Sequence, residues 1–495
     1  MSDSDGGADT YQRVIGGLRW IALSRVLAQG SAWLITLVTV RLLTPFDYGI
    51  MAMSGVLTMF AGLLIDGGLG PVLVQRKDIT EDVMRSANGG LLLIAGGAVL
   101  AVQLVALPAA LFFREPQLEL LLRVAALQFP IGALTIVPAS MLASRMNFRA
   151  QAITHVVSGL AQGLLTIGLA VTGYGYWALA YGALFGALVS TVMLNAYANT
   201  PLLPSMRFGV LRPYLRFARY TMGDRFLYYF VQQTDSMIVG RLLGTHQLGS
   251  FAVAKQISHL PLDKIGDIAS QVTLPAFSRI QNDKAAVAEG VRRLVQFGAV
   301  ISFPIFWGLM AIAPVAVPTL LGPGWGHTTL PIVAFCSMLP IRTTWTLLAR
   351  VVVGVGRPEV SFRNQLLWPF IVLPSLIIGA HWGVPGVAIA WALSFPVMFA
   401  VSTRRIAAVL SMTWSALLVP LVRPATAAGA MAALVWIIDT SIASQLPNFA
   451  RLMIGTGAGA ATYVLALRLI SPTIFRETVE FVFRFVGRNT PRYLQ

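Results

Sequence analysis

Apolar residues run along this chain in blocks of roughly 18 to 25, the length a helix needs to cross the hydrocarbon core of a bilayer. Short stretches rich in charge, glycine or proline separate them. Fourteen blocks are expected to span as helices: 18–42, 48–66, 87–112, 118–140, 152–172, 175–197, 214–243, 247–277, 293–319, 328–353, 361–380, 384–402, 414–438 and 449–470. The connections between them are too short to hold a soluble domain. The expected fold class is therefore an all-α polytopic membrane protein.

The polar residues then give the sidedness. Basic residues collect in every second connection: Arg76, Lys77 and Arg85; Arg145 and Arg149; Arg207, Arg212 and Arg216; Arg279, Lys284, Arg292 and Arg293; Arg357 and Arg363; Arg404 and Arg405. Arg476, Arg484, Arg488 and Arg492 follow the last block. The intervening connections, such as TGYGY at 172–176, PGWGH at 323–327 and AHWGV at 380–384, have almost none. Short loops rich in Lys and Arg stay cytoplasmic, so both termini are expected inside. The formal net charge of +16 is thereby a topology signal, and a nucleic-acid partner is not needed to explain it. Only 11% of the residues are charged, against about 25% in a soluble protein. The opening MSDSDGGADT has no basic n-region, so no cleaved signal peptide is expected. The single cysteine, Cys336, excludes an intrachain disulfide.

The chain repeats itself. RLLTPFDYGIMA at 41–52 returns as RLLGTHQLGSFA at 241–252, an offset of 241 − 41 = 200. Without a gap, Arg19, Arg25 and Leu27 match Arg219, Arg225 and Leu227. A weaker echo sets GYGYWALAY (173–181) against GVPGVAIAW (383–391). Spans one to six and seven to twelve read as two copies of one unit. Six is even, so both copies start inside and run parallel, an arrangement that places a substrate site between repeats. The expected organisation is a cytoplasmic segment 1–17, lobes 18–200 and 201–405, two added spans in 406–472 and a cytoplasmic tail 473–495. The plainer alternatives are chance among Leu-rich helices, or duplication with no transport role. Matched arginines inside spans argue against chance, because each costs on the order of 2.5 to 3.5 kcal/mol at a helix centre.

Ionisable residues inside the spans mark the candidate site. Arg25, Gln29, Trp33 and Thr36 share one helical face of the first span. Arg225, Tyr228, Tyr229, Gln232 and Asp235 form a similar stripe in the seventh. In the eighth, Lys255, His259, Asp263 and Asp267 recur every four residues, with Gln271 beyond, and the tenth adds Arg342, Thr343 and Thr344. Lipid solvates none of these, so they must face protein or a wet cavity. Internal ion pairing, for example Asp235 with Arg241 or Lys264 with Asp267, is the plainer reading. Arg25, Arg225, Lys255 and Arg342 have no obvious carboxylate nearby in sequence, and such an excess of cation calls for an anionic ligand. Asp235, Asp263 and Asp267 are the candidates for a coupling H⁺ or Na⁺, and no other cofactor or metal is expected.

Other motifs carry less. GTGAG at 455–459 has the letters of a nucleotide loop but lies inside an apolar block, where Gly455 and Gly459 read as GxxxG packing. Gly182 and Gly186 read the same way. The histidines show no metal-ligand spacing.

Five segments in order then resemble one family: DGGLGPVLVQRKDIT (66–80), LRPYLRFARYTMGDRFLYYFVQQTDSMIVGRLLG (211–244), GSFAVAKQISHLP (249–261), TLPAFSRIQND (273–283) and GVGRPE (354–359). They look like the Wzx-type polysaccharide flippases of the multidrug, oligosaccharidyl-lipid and polysaccharide exporter superfamily, closest to the exopolysaccharide branch. The resemblance covers nearly the whole chain. It implies two six-helix lobes in a V around a cationic cavity, in the bacterial inner membrane. It also implies translocation of an undecaprenyl-pyrophosphate-linked oligosaccharide from the inner to the outer face, with polysaccharide polymerase and export machinery as partners beside membrane lipids. On the family pattern Lys255 takes the basic position of a Y-x-x-A-[YF]-[RK]-like turn, here FAVAK, and Arg25 matches the first-helix arginine. The turn opens with Phe251 instead of Tyr. His259 and Asp263 are not features of the family as a whole, which leaves the coupling ion open.

Two other functions compete. A multidrug-type exporter of the same superfamily should present acidic residues to cationic drugs, whereas this chain offers mostly basic ones. A polyprenyl-dependent polymerase, ligase or glycosyltransferase would carry a long outer loop or an acidic motif on the first outer loop, where this chain has little more than TPFD at 44–47.

Overall fold

The computed structural model describes residues 30–66, 69–75, 79–200, 204–207, 229–230, 232–442 and 445–485, and among them there is no strand. The chain runs through α1 (Gly30–Leu42), α2 (Pro45–Asp66), α3 (Leu69–Gln75), α4 (Glu81–Phe113), α5 (Gln117–Ala125), α6 (Gln128–Ser144), α7 (Phe148–Val171), α8 (Tyr176–Ala198) and α9 (232–243). It continues through α10 (Thr245–Ile280), α11 (Lys284–Ala316), α12 (Thr329–Gly354), α13 (Pro358–Leu366), α14 (Trp368–Ala380), α15 (Gly383–Val409), α16 (Trp414–Ile437), α17 (Asn448–Ile470) and α18 (Pro472–Phe485). Contacts gather the chain into two compact units, Met1–Gly249 and Ser250–Gln495.

Side chains outside the helices set several of the helix starts. Thr80, Asn147, Asp283 and Thr413 each stand before a helix and accept from its first free amides; Asp283 Oδ1 takes both Ala285 and Ala286 N–H at 2.9 and 3.0 Å. Such a cap is worth about 1 kcal/mol. All four lie in the basic connections expected inside; Thr413 also stands at the start of the added pair. At the other face Thr44 and Asp47 cap α2 reciprocally: Thr44 N–H and Oγ1–H donate to Asp47 Oδ2, and Asp47 N–H donates back to Thr44 Oγ1. This turn bends α1 from α2 by 118°.

The described residues show the all-helical membrane fold but not all fourteen expected spans. Ten helices among the described residues are long and apolar enough to cross a membrane, or eleven if the bent pair α1–α2 is one span. Three physical causes account for the difference. The first and seventh spans lie partly outside the described residues. Helix α10 carries Lys255, His259, Asp263 and Lys264, which lower its hydropathy although it runs for 36 residues. The second expected span is joined to the first in the bent pair α1–α2, whereas the fourth and eleventh, each made of two helices (α5 with α6, α13 with α14), count once each among the ten.

Within the first unit, α4 shows how lipid inverts the usual pattern. Its exposed side carries Leu93, Leu100, Leu104, Leu107 and Leu111, while Ala87, Ala95, Ala98, Ala106 and Ala109 are buried. Small residues let backbones approach, because burial of leucine gains nothing over lipid. Gly182 and Gly186 of α8 pack on Gln162, Thr166 and Ser158 of α7. Helix α6 is tied to α8 by Thr191 Oγ1 donating to Ile131 O (3.0 Å) and Asn195 Nδ2 donating to Leu134 O (3.1 Å). Such interhelical bonds average about 0.6 kcal/mol in membranes.

The repeated stretch also recurs as structure: helices start at Pro45 and, 200 residues on, at Thr245. The shared glycines explain why the letters repeat. A Cβ on Gly49 would run into the Thr245 carbonyl, and one on Gly249 would run into the Pro45 carbonyl. Each copy's helix start sits on the other's glycine.

In the second unit α11 packs on α12, α16 and α17, and α12 on α15. Gly455 and Gly459 lie against Val435 of α16, with Ile312 of α11 and Met431 of α16 alongside, so GTGAG is helix packing and not a nucleotide loop. Tyr463 donates its buried hydroxyl hydrogen to Val300 O at 2.9 Å, fastening the added helix α17 to α11. Pro318 lies in a π-turn over Val317–Leu321, which re-routes the chain into the connection at Pro323–Thr328.

Candidate functional site

The seven candidate residues fall into three groups. Arg25 and Arg225 lie outside the described residues, as does the Asp267 side chain. Asp235, in the first unit, is fully buried; its Oδ1 accepts from Ser236 N–H at 2.7 Å and from Ser236 Oγ–H at 3.3 Å. Lys255, Asp263 and Arg342 belong to the second unit, where one cluster forms around α10 and α12.

Helix α10 sets this cluster because its polar residues recur every four positions and so share one face. His259 sits one turn after Lys255. Its Nδ1 is 2.9 Å from Lys255 O, and its Nε2 is 2.9 Å from Nη1 of Arg342 on α12. Arg342 is buried, with 8% of its surface exposed, between Thr343 and residues of α15. Its guanidinium carbon stands 5.5 Å from the Trp391 ring centre and 6.0 Å from that of Phe395. The two rings are one turn apart on α15. Phe335, one face earlier on α12, meets the His259 ring edge-to-face at 5.6 Å and Phe251 at 5.4 Å.

The hydrogen-bond roles follow from chemistry. A carbonyl oxygen only accepts and a guanidinium nitrogen only donates. Nδ1 therefore carries the hydrogen toward Lys255 O, and Nε2 offers its lone pair to Arg342. The imidazole in this arrangement is neutral. Lys255 is half-buried and Asp263, one turn beyond His259, is exposed. The cluster thus holds a guanidinium oriented by an imidazole and two aromatic faces, with Lys255 one turn before that imidazole on α10. A guanidinium supplies two parallel donors, which match a phosphate edge.

His259 was present in the polar stripe but not among the candidate residues, and Trp391 and Phe395 were absent altogether. The spacing i, i+4 of Lys255, His259 and Asp263 was the available signal for the first. The aromatic pair has no such signal, because Trp and Phe one turn apart look like ordinary core.

This geometry can be set beside known proteins. Residues 38–330, more than half the chain, match the model of the family described as polysaccharide biosynthesis protein. The chain belongs to that family. Among its relatives is the succinoglycan biosynthesis transport protein ExoT of Rhizobium meliloti, 24% identical and aligned over 96% of both chains. The lipopolysaccharide biosynthesis protein WzxC of Escherichia coli is 23% identical over 77% of this chain and 78% of its own. Of solved structures, the lipid II flippase MurJ in an inward closed conformation superposes with a TM-score of 0.68 at 15% identity, covering 94% of this chain and 99% of that one. An inward-facing multidrug resistance MATE transporter gives 0.59 at 16% identity, over 77% and 95%. The family member described here thus has the fold of the flippases and MATE transporters of one exporter superfamily. Relatives at this level are named as transport and biosynthesis proteins of polysaccharides.

Proposed function

We propose that this chain flips a polyprenyl-pyrophosphate-linked oligosaccharide, the repeat unit of an exported polysaccharide, across the bacterial inner membrane. The observation that carries the reading is the buried Arg342, aligned by His259 beside Lys255 at membrane depth in a chain of the polysaccharide biosynthesis family. A pyrophosphate linker brings about two negative charges, and losing its water is offset only by cations already in place. Arg25 and Arg225 are proposed as further cations, and undecaprenyl is the proposed lipid. Both termini are proposed to be cytoplasmic, a reading that the basic connections support. The chain does no bond chemistry in this reading; it moves a finished unit to the outer face, where a polymerase takes it. Asp235, Asp263 and Asp267 remain proposed positions for a coupling cation.

The test is deletion followed by lipid extraction and mass spectrometry. Complete repeat units on undecaprenyl pyrophosphate should accumulate, trapped on the inner leaflet. Truncated units would point instead to an enzyme that builds the glycan. Complementation by Lys255→Ala or Arg225→Ala, at matched membrane level, should fail to restore polymer; normal polymer with both would end the cationic-site reading.

A further inference from the structure

We infer that His259 is a proton-binding site linked to the anion site at Arg342, so that the chain takes up a proton when a diphosphate group arrives. The inference rests on the flippase reading above. His259 is held between two partners that together allow only the neutral Nδ1–H tautomer: the Lys255 carbonyl at 2.9 Å and the Arg342 guanidinium at 2.9 Å. The lone pair on Nε2 is occupied by Arg342. A proton cannot enter there while the guanidinium stays, because two cationic donors would then face each other.

A diphosphate changes that balance. Its oxygens are stronger acceptors for a guanidinium than a neutral imidazole is, since hydrogen bonds between charged partners are roughly twice as strong as neutral ones. When an N–H of Arg342 turns from His259 to the phosphate, the Nε2 lone pair is released to water at the site. The proton is drawn from the buffer acid in solution, relayed by that water, which is left neutral; it stays on Nε2, with no covalent bond to carbon or phosphorus changed. The imidazolium then lies beside an anion that stabilises it, and can itself donate to a phosphate oxygen. Anion binding and proton binding therefore favour each other, and linkage makes the effect mutual.

The charges around the ring support this order. Lys255 on α10 and Arg342 on α12 are both positive and both act on the imidazole. Asp263 lies one turn further along α10 and is exposed. From α12, Cys336 is buried against Ser258 and Phe335 covers the ring edge. Helix α15, packed on α12, adds the faces of Trp391 and Phe395 beside the guanidinium. The charged groups acting on the ring are thus two cations, which a bound diphosphate would offset.

The experiment uses the full chain in lipid nanodiscs and undecaprenyl pyrophosphate without sugar as the probe. Binding is measured by calorimetry between pH 5.5 and 8, in two buffers of different ionisation enthalpy, for the wild type and for His259→Gln. Glutamine keeps an acceptor for Arg342 and cannot take a proton in this range. The probe's own phosphate titrates in both proteins, so the histidine contribution is their difference. The expected result is an extra uptake of about one proton in the wild type, with affinity rising up to about tenfold per pH unit of acidification. In His259→Gln that increment should vanish. Equal proton uptake in both proteins overturns the inference, and so does a wild type whose binding takes up no proton, a result that needs no variant. A wild type that does not bind the probe at any pH would instead remove the substrate reading, and this inference with it.

Discussion

Arg342→Met separates a binding role from a structural one, because the structure makes the two effects differ in size. A cation at membrane depth costs on the order of 3 kcal/mol. Two aromatic faces at 5.5 and 6.0 Å return about 1 to 2 kcal/mol in a desolvated setting. The 2.9 Å bond to His259 from a charged donor returns about 1.5 to 3 kcal/mol. The balance is close to zero, so methionine of similar length forfeits little. What it adds is one unsatisfied acceptor, His259 Nε2, at about 1 to 2 kcal/mol. The purified variant should remain monodisperse in detergent, with its thermal midpoint lowered by only a few degrees. Binding should respond differently. Loss of a charged hydrogen-bonding partner to phosphate, at about 1.5 to 3 kcal/mol, weakens the diphosphate complex about 10- to 100-fold. Polymer export measured at matched membrane level should fall accordingly. Arg342→Lys should also fail in large part if the planar fork and its ring contacts matter. Aggregation of Arg342→Met, or full export with a normal midpoint, would refute this reasoning from opposite sides.

Reporter fusions at Gln117 and Gly324 should read outside and one at Lys284 inside; reversal of any of them would refute the charge-based topology. Gly49→Val should lower folded yield strongly, since the atoms it meets belong to the Thr245 backbone and cannot swing aside, whereas Gly55→Ala, with no neighbour within 4 Å, should be neutral or stabilising by about 0.5 to 1 kcal/mol in the same heat-challenge assay. In the first turns of α11, Arg292 and Arg293 hold the exposed Glu289 carboxylate down to about 2. A depressed value stabilises the folded chain above the unfolded pKa near ~4.3 and fades as pH falls through about 2, so any small difference between wild type and Glu289→Gln should be present at pH 7 and gone in strong acid.

Much of the fold could be read from block length, because hydrocarbon thickness fixes how many apolar residues a span needs. Helices α4, α7, α8, α15, α16 and α17 fall where the blocks place them. The breaks inside 118–140 and 361–380 were not legible, since apolar residues continue through Ala126 and Leu367 and nothing there changes periodicity. Helix α10 shows the reverse: its composition weakens it as a span by hydropathy, yet the four-residue recurrence of its polar residues located the cluster. Lys255 and Arg342 are legible as cations in apolar blocks, whereas their connection through His259 is not. An 83-residue separation between hydrogen-bonded side chains leaves no mark in local spacing. Trp391 and Phe395 stayed hidden because aromatic residues serve a cation and a core with the same letters.

The paired glycines at 49 and 249 have an evolutionary consequence. Residue 49 meets the backbone of 245, and residue 249 meets the backbone of 45, an exchange of roles like that made by identical subunits across a two-fold axis. Here both partners belong to one polypeptide, so a single change at either glycine strains both helix starts. A carbonyl cannot be removed by substitution, and each glycine is therefore constrained by an atom that mutation does not reach. Drift could erase most of the resemblance between the copies and still leave these letters in place. The stretch that makes the duplication readable is the one whose backbone left it no alternative.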